Sequence, residues 1–523
     1  MNIIKIMAVA AVIIPAFTSC NQKLLDIPQQ GVKSEDNSYI TDADCESAVS
    51  ALYAGWRTVW SGQGTMGYNA NLFWLKNLLA DEMQSEHNIQ SDITHSTITS
   101  ANLWIHEIYK ELYETIYLAN LILDKFNADD SPVKARGTAE ARFYRALCYY
   151  ELITLWGKVP LVDHVLKPEE YQIGQSEIDD LWDMVLEDLT LAVSSGALGS
   201  KKSIDDRDSG TRITLEAAYA VRGKVYLTLG QFDKARNDFD KVIGSHLYGL
   251  IDEMLDLYHT KTNGCKEYIF ENVRHWDNNN ITEQDGWFGM NDNWFFGYGF
   301  TWDGVTGPFN FLTVKGWGAM CVTKKVYDAF IAEEGPSSMR RKASVIHISE
   351  LADYGVSYTL GSNWPGNEGV FRMKWLVSAD DEPQDQWAGR LHNIPCMRYA
   401  DVLLMMAEAC VRDGKNGDDY YNEVRKRAGL PQKTGVTFED VKKERFLELC
   451  FEATRFQDLK RWGDLATVLA DKGRTIPRLL SGGVVEYSDN TNPAAGFQER
   501  DNLLPFPLIE LQTNPNIKQN YDY

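Results

Sequence analysis

The C-terminal segment from Pro395 to Trp462 repeats its apolar positions with the period of an α-helix. A second helix is predicted from Asp418 to Ala428, a third begins at the hydroxyl N-cap Thr437, and a fourth carries apolar residues from Phe456 to Leu469. In the first helix one face is made by Leu403, Met406, Ala407, Cys410 and Val411. The third is expected to bury Phe446, Leu449, Cys450 and Ala453. Short helices joined by short turns predict a stack of helix pairs.

The N-terminal half shows the same period in longer segments. Helices are predicted at Asp42–Trp60, Ala101–Phe126 and Ala139–Trp156, with their Trp and Tyr side chains mostly in the core. In Ala217–Ile243, small and large residues have the spacing of a tetratricopeptide repeat: Gly223, Tyr226, Ala235 and Phe239. The pattern predicts a mainly α protein, a tetratricopeptide-like superhelix of helix pairs.

Between about residues 251 and 394 the helical period lapses and Gly, Asn and Asp become frequent. Exceptions are a predicted helix at Thr323–Glu333 and a predicted strand at Val370–Trp375. Eleven aromatic residues fall within the 31 residues Trp287–Trp317, against 12 % aromatic residues overall. Such a segment predicts a large irregular insert with little β-structure, whose loops present binding groups on a helical platform.

Several blocks of the C-terminal segment resemble the SusD/RagB family of nutrient-binding outer-membrane lipoproteins. The blocks are Arg398-Tyr399-Ala400-Asp401 with Leu403-Leu404-Met405 and Ala407-Glu408-Ala409, then Asn422 to Gly429, Glu444-Arg445 to Leu449, and Arg455 to Trp462. One departure is Ala453-Thr454, where the family usually has Gly-His or a similar pair, and a change inside a helix is expected to cost nothing. The resemblance runs from Cys20 to the C-terminus, including the closing prolines Pro505 and Pro507, and is weakest across the aromatic region.

The first 19 residues predict a secretory leader, with the base Lys5 before an apolar run from Ile6 to Phe17. The run ends in small residues before Cys20, which resembles a bacterial lipobox and implies cleavage and lipid attachment at that cysteine. An ordinary secretory signal is the alternative. The expected divisions are a leader at 1–19, a lipidated tether and arm at 20–40, a helical half at 41–250, the insert at 251–394 and the C-terminal block at 395–523.

Composition narrows the classes of function. The chain has 74 acidic and 52 basic residues and a net charge of −22, which disfavours nucleic acid and polyanionic ligands. The cysteines have no metal-finger spacing, and those on helical faces are expected to be buried thiols. No zinc-protease or nucleophile-elbow motif occurs. No cofactor is expected, although acids and amides in Asp277–Asp285 leave a structural calcium site as an alternative.

The charged residues from Glu444 to Arg461 recur at spacings of three and four. This spacing places opposite charges side by side on helices, and a structural network between packed helices explains it better than a binding site.

The aromatic insert is the feature that points to a ligand. Indole and phenol rings stack on the C–H faces of sugars, and neighbouring amides and carboxylates bind the hydroxyl groups. By resemblance, further contacts come from the loop before the long helix. The predicted ligand-binding residues are Trp74, Asp81, Asn88, Trp287, Asn291, Asn293, Trp294, Trp302 and Asp303.

The resemblance implies a non-catalytic protein, lipid-anchored through Cys20 at the outer membrane and facing the exterior. It implies that the protein binds oligosaccharides and delivers them to a SusC-like TonB-dependent transporter. Three alternatives stay open: a peptide-binding member of the same family, a helical-repeat scaffold without a soluble ligand, and a glycan-cleaving enzyme. The sequence specifies no particular sugar or linkage.

Overall fold

The structure is a computed structural model that describes residues 39–62, 70–87, 89–273, 305–306, 320–354, 357–358, 364–375 and 393–523. The predicted leader, Cys20 and the alternative calcium segment lie outside these residues. Within them, helices dominate and the strands are short, which confirms the predicted mainly α class with little β-structure.

The helices of the N-terminal half are α1 to α8 and those of the insert are α9 and α10. Their bounds are α1 Asp42–Ser61, α2 Leu72–Leu79, α3 Gln90–Thr94, α4 Leu103–Lys125, α5 Pro132–Trp156, α6 Ile178–Ser194, α7 Leu215–Thr228, α8 Phe232–Ile243, α9 Lys324–Glu334 and α10 Met339–Ser344. The C-terminal helices are α11 Tyr399–Arg412, α12 Asp418–Arg427, α13 Phe438–Glu448, α14 Arg455–Trp462, α15 Leu465–Val468 and α16 Leu508–Thr513.

The strands are distributed along the same chain. They are β1 Met83–Gln84, β2 Tyr268–Asn272, β3 Val305–Thr306, β4 Cys321–Val322, β5 Val345–His347, β6 Ser357–Tyr358, β7 Trp364–Pro365, β8 Val370–Arg372, β9 Ile394–Arg398, β10 Thr475–Leu479 and β11 Val485–Asp489. The predicted strand Val370–Trp375 is therefore confirmed only over its first half, because the backbone at Trp375 turns to φ 55°.

Successive helices of the N-terminal half pack as neighbours, α4 on α5, α5 on α6 and α7 on α8, as the predicted helix-pair stack requires. Helix α11 packs on α8 and carries α12 and α13, so the C-terminal block extends the same stack. One hydrophobic core runs through both parts, and it includes the predicted core residues Trp56, Trp104 and Trp156, each at most 1 % exposed.

The pair α7–α8 shows why a small residue is needed in a tetratricopeptide-like repeat. A Cβ atom added at Gly223 would lie 2.6 Å from the ring of Phe239, which itself is fully buried. The two helices can approach only because position 223 has no side chain, and the aromatic ring fills the remaining space. The packing interpretation of these two residues is confirmed.

Two helix ends differ from the sequence expectation. Helix α14 ends at Trp462, followed by Gly463 in the left-handed conformation, so Leu465–Val468 forms a separate turn. Helix α13 ends at Glu448, and the buried residues after it lie in a loop where Phe451 and Ala453 have φ of 67° and 59°. The expectation that alanine at position 453 stands in a helix is wrong: it occupies a conformation that glycine adopts without strain.

Short antiparallel pairings tie the insert to the rest of the fold. Strand β2 pairs with β9, β4 with β1, and β7 with β10, whose other neighbour is β11. Within the insert, β5 pairs with β8 and β3 with β6. The insert is thus attached both to the loop that follows α2 and to the C-terminal hairpin β10–β11.

A network of buried ion pairs joins the C-terminal helices to β2 and to the insert. The guanidinium of Arg398 lies 2.6–2.7 Å from carboxylate oxygens of Glu267, Glu448 and Glu452. Arg340 approaches Glu448 from α10. Burial alone raises the pKa of Glu448, but the surrounding arginines outweigh burial and hold that pKa well below its usual value.

The network confirms that the charged string of the C-terminal block is structural and corrects its geometry. Only the pair Asp458–Arg461 lies along one helix. The other charged residues of the string find their partners on different elements, because helix packing brings distant side chains together: Glu444, Arg445, Glu448, Glu452 and Arg455.

Two further expectations concern thiols and membranes. Among the described residues the cysteines are free, and Cys148, Cys410 and Cys450 are buried as expected. In the described part of the chain, no helix combines the length and the apolar character needed to span a bilayer.

Candidate functional site

The structure describes two of the predicted ligand residues, Trp74 within α2 and Asp81 just after the end of that helix. The helix begins at Asn71, whose side chain accepts a hydrogen bond from the backbone of Trp74, and all its residues are buried. The indole of Trp74 packs against Phe73 and lies under the guanidinium of Arg372, 4.9 Å from its centroid, with no exposed surface. This corrects its assignment as a sugar-stacking residue: Trp74 belongs to the core.

Asp81, just after α2, lies at the surface of a groove but is already paired. Its carboxylate oxygens lie 3.0 Å from Nε of Arg455 and 2.7 Å from Nζ of Lys325. Burial alone raises the pKa of Asp81, and the two cations outweigh that effect and leave the pKa below its usual value. The side chain is therefore a positioning group that joins α9 and α14 to this loop.

The loop after α2 meets the insert directly. Met83 and Gln84 of β1 pair with Val322 and Cys321 of β4. The hydroxyl of Thr323 donates to the carbonyl of Asp81 at 2.8 Å, and its backbone N–H donates to the carbonyl of Glu82 at 3.0 Å. Strand β4, which follows the aromatic stretch in the sequence, therefore lies beside the loop that the resemblance assigns to ligand contact.

A groove of about 320 Å³ opens at this contact, and we call it the junction groove. Its walls come from β1, the start of α9, the β7–β8 turn, the segment after α15 and the hairpin β10–β11. Lining residues include Asp81, Gln84, Lys325, Glu368, Lys472 and Tyr487. Its mixture of amides, charges and one aromatic ring is suited to a ligand that carries many hydroxyl groups.

Glu368 fixes the ring of Tyr487, which is exposed at the junction groove. Its carboxylate accepts hydrogen bonds from the hydroxyl of Tyr487 at 2.9 Å, from the amide of Gln84 at 3.2 Å and from the backbone N–H of Lys324 at 2.7 Å. Tyr487 stays 54 % exposed, so its ring is held in place while one side faces solvent. A fixed and accessible ring is what a stacking ligand requires.

Behind the groove, α2 and Glu82 hold the loop with the two left-handed residues. Asn77 donates to the carbonyl of Phe451 and accepts from the backbone N–H of Ala453. The carboxylate of Glu82, which has no exposed surface, accepts from the backbone N–H of Phe451 at 3.0 Å. Burial, aided by the neighbouring Asp81, raises the pKa of Glu82 to about 8. Two side chains from α2 and its end therefore stabilise a strained backbone.

Glu82→Gln is expected to reduce the loss of stability between pH 5 and pH 8. The folded protein keeps Glu82 protonated up to about pH 8, whereas the unfolded chain releases that proton near pH 4.3, so stability falls as pH rises across this window. The glutamine amide keeps the acceptor for Phe451 and cannot ionise. The expected difference at pH 8 relative to pH 5 is on the order of 3 kcal/mol in favour of the variant. Urea unfolding at both pH values measures it.

Glu439→Gln is the matched control, because that carboxylate on α13 is 79 % exposed. This substitution should change the free energy of unfolding by the same amount at pH 5 and at pH 8. Glu82→Gln will still lose part of its stability as pH rises, since burial also raises the pKa of Glu271 to about 8. If Glu82→Gln and the wild-type protein lost equal free energy of unfolding between pH 5 and pH 8, the raised pKa of Glu82 would be contradicted.

The remaining predicted site residues lie outside the described residues: Cys20, Asn88, Trp287, Asn291, Asn293, Trp294, Trp302 and Asp303. Their roles stay predictions. Sequence reasoning missed Lys325, Glu368, Lys472 and Tyr487, which join the junction groove from positions up to about four hundred residues from Asp81 along the chain. No local motif marks them.

Two of the carboxylates that line the junction groove, those of Asp81 and Glu368, are held by polar partners. Glu368 accepts three hydrogen bonds and Asp81 contacts two cations, so neither carboxylate is poised as a general acid or base. In the described ranges, no cluster of three or more potential metal ligands occurs. The arrangement can hold a polar ligand against an aromatic face.

Comparisons with known proteins agree across nearly the whole chain. A family model described as "SusD family" matches residues 342–523, and one described as "Starch-binding associating with outer membrane" matches residues 32–227. The SusD-like protein P25 of Formosa agariphila is 25 % identical over 95 % of this chain and 94 % of its own length.

The starch-binding protein SusD of Bacteroides thetaiotaomicron is 23 % identical over 88 % of this chain and 87 % of its own. A solved laminarin-binding SusD-like protein superposes with a TM-score of 0.72 at 24 % identity, and the match covers 92 % of this chain and 99 % of that one. The solved structure thus shares the fold.

Proposed function

Because the chain belongs to the SusD-like family, we propose that it captures oligosaccharides at the cell surface and delivers them, uncleaved, to a TonB-dependent outer-membrane transporter. The observation that carries the proposal is the direct pairing of β1 with β4, which joins the ligand-contact loop predicted by resemblance to the segment that follows the aromatic stretch of the insert. The junction groove opens at this contact.

Relatives support a glycan as the ligand. One is named for starch and a solved one for laminarin, and both polymers are neutral glucans. The net charge of −22 favours neutral ligands over anionic polymers in the same way. Attachment through lipid on Cys20 and a SusC-like partner remain parts of the proposal that rest on the resemblance alone.

Delivery without cleavage fits the chemistry of the described groove. The carboxylates of Glu368 and Asp81 are occupied by hydrogen bonds and ion pairs, so we expect capture to depend on stacking, on hydrogen bonds and on release to the transporter. Turnover of an oligosaccharide by the purified protein, lost on changing one acidic residue, would establish the enzyme alternative instead.

Titration calorimetry tests the proposal directly. Protein starting after Cys20 is titrated with trisaccharides and hexasaccharides of neutral glucans and with short peptides. Binding of one glycan class without turnover supports capture. Binding of peptides alone would favour the peptide-binding alternative, and no heat with any ligand would favour the scaffold alternative.

Tyr487→Ala is expected to weaken the binding of the preferred oligosaccharide about five- to tenfold, because it removes one stacking ring worth about 1 kcal/mol. Tyr487→Phe keeps the ring and loses only the hydrogen bond to Glu368, so its affinity should stay within about threefold of wild type. The same calorimetric titration measures both variants.

Tyr521→Ala serves as the control, since that tyrosine is 75 % exposed on the C-terminal tail and does not line the junction groove. It should bind as the wild-type protein does. If Tyr487→Ala bound the preferred oligosaccharide with the affinity of the wild-type protein, the ring at the junction groove would not be part of the glycan-binding site.

A further inference from the structure

A second groove lies on the N-terminal half, and no residue is shared with the junction groove. Its volume is about 510 Å³, within the range of ligand sites. One wall is a face of α4, one is the connection between α5 and α6, and one is the C-terminal tail at the start of α16. We call it the tyrosine groove after four of its lining residues, Tyr109, Tyr113, Tyr117 and Tyr171.

Three of these tyrosines follow one another on α4 at intervals of four residues, so their side chains emerge on one face about 6 Å apart along the helix axis. Tyr109 is almost fully buried and packs against Tyr113 with ring centroids 5.0 Å apart. Tyr117 is 50 % exposed and Tyr171 on the opposite wall is 63 % exposed. The row therefore runs from the core to solvent and leaves ring surface free.

The walls are held together by polar contacts that fix the shape. The hydroxyl of Tyr113 donates to the carbonyl of Pro160 at 2.8 Å. The amide of Asn514 donates to the carbonyl of Ile173 at 2.8 Å, and that of Asn516 donates to the carbonyl of Gln172 at 2.7 Å. Since these bonds connect the tail to the α5–α6 connection, the groove exists before any ligand arrives.

The rim is polar and electrically mixed. Lys110 lies 3.6 Å from Glu107 and 3.7 Å from Glu114 on the same helix, and Glu510 and Asn514 stand on the tail side. Three carboxylates and one ammonium group thus surround the apolar floor, so the charge of these rim groups is negative on balance. An anionic ligand would meet these carboxylates, whereas a neutral, hydroxyl-rich chain can use both signs.

We infer that the tyrosine groove is a second glycan-binding site, which holds another stretch of the same neutral polysaccharide that the proposed function assigns to the site at the junction groove. The inference rests on the proposed function, from which it takes the ligand class. Exposed phenol rings supply the stacking faces, and the rim supplies the groups for the hydroxyls. Two separated sites on one protein raise the apparent affinity for a long chain while leaving that for a short one unchanged.

The test compares long and short ligands in the double variant Tyr117→Ala/Tyr171→Ala. Retention in gels that contain laminarin or soluble starch is measured beside calorimetry with laminaritriose or maltotriose. The variant is expected to lose at least fivefold in affinity for the polysaccharide that the wild-type protein binds. Its affinity for the matching trisaccharide should stay within twofold.

Two controls separate binding from stability. Tyr117→Phe/Tyr171→Phe should keep most of the retention, because the rings remain. Met339→Ala, at an exposed apolar residue outside the groove, should change nothing. Both tyrosines are half or more exposed, so thermal unfolding of the alanine variant should match the wild-type protein.

Three outcomes would overturn the inference in distinguishable ways. Unchanged retention in the alanine variant would show that the groove does not bind the polysaccharide. Equal losses for polysaccharide and trisaccharide would make the tyrosines part of a single site. A wild-type protein that binds none of the four glucans would overturn the inference by removing its ligand, while the proposed function would still be tested with other oligosaccharides.

Discussion

Replacing Trp287, Trp294 and Trp302 together with alanine is expected to weaken oligosaccharide binding at least hundredfold. A stacked indole contributes about 1 kcal/mol or more beyond simple burial, and three rings together amount to roughly 3–4 kcal/mol, where each 1.4 kcal/mol is tenfold in affinity. Titration calorimetry with the preferred oligosaccharide measures the loss.

The matched control replaces the same three residues with phenylalanine. It keeps aromatic faces at every position, so the affinity should fall by less than tenfold. Near-wild-type affinity in the alanine variant, with its unfolding temperature also unchanged, would show that these tryptophans do not contact the ligand. Capture would then depend on the junction groove and its ring Tyr487.

Arg398→Ala is expected to lower the free energy of unfolding by about 3–5 kcal/mol at pH 7. The guanidinium is 1 % exposed and contacts Glu267, Glu448 and Glu452, so its removal leaves buried carboxylates without their main partner. Without it the pKa of Glu448 and that of Glu452 will rise, because burial disfavours their charged forms. Urea unfolding followed by circular dichroism gives the difference.

The pH dependence distinguishes a lost charge from simple loss of packing. As pH falls toward 5, the orphaned carboxylates of Arg398→Ala can take up protons, so the deficit relative to wild type should shrink. Arg398→Lys keeps a positive charge without the forked geometry of the guanidinium. Its free energy of unfolding should therefore lie between those of Arg398→Ala and the wild-type protein. Arg478→Ala, at an exposed arginine on β10, should be nearly neutral. A deficit that is equal at pH 5 and pH 7 would contradict the charge explanation.

Helix placement could be predicted from the sequence because the information is local. The predicted segment Asp42–Trp60 is observed as Asp42–Ser61, and the predicted capping residue Thr437 forms a reciprocal cap with Asp440. In the α7–α8 pair, Gly223 and the ring that packs against it, Phe239, also belong to consecutive helices. Each of these features depends on neighbours along the chain.

The surroundings of single residues could not be predicted in the same way. Trp74 was predicted to face a ligand and lies in the core, because Arg372, some three hundred residues later, covers its ring. Alanine at position 453 was placed in a helix and instead stands in a left-handed loop that Asn77 and Glu82 support. In each case the deciding contact comes from a distant part of the chain.

The sequence by itself determined the helical class, the family resemblance, the core periodicity and the aromatic insert, since these follow from short-range patterns of residue type. Only the tertiary structure decided which charges pair and which aromatic rings stay accessible. Asp81 meets Arg455 across 374 residues of sequence, and Tyr171 faces Tyr117 across a groove closed by the C-terminal tail. Such meetings depend on the packing of whole helices, because burial and partner choice are properties of the assembled surface.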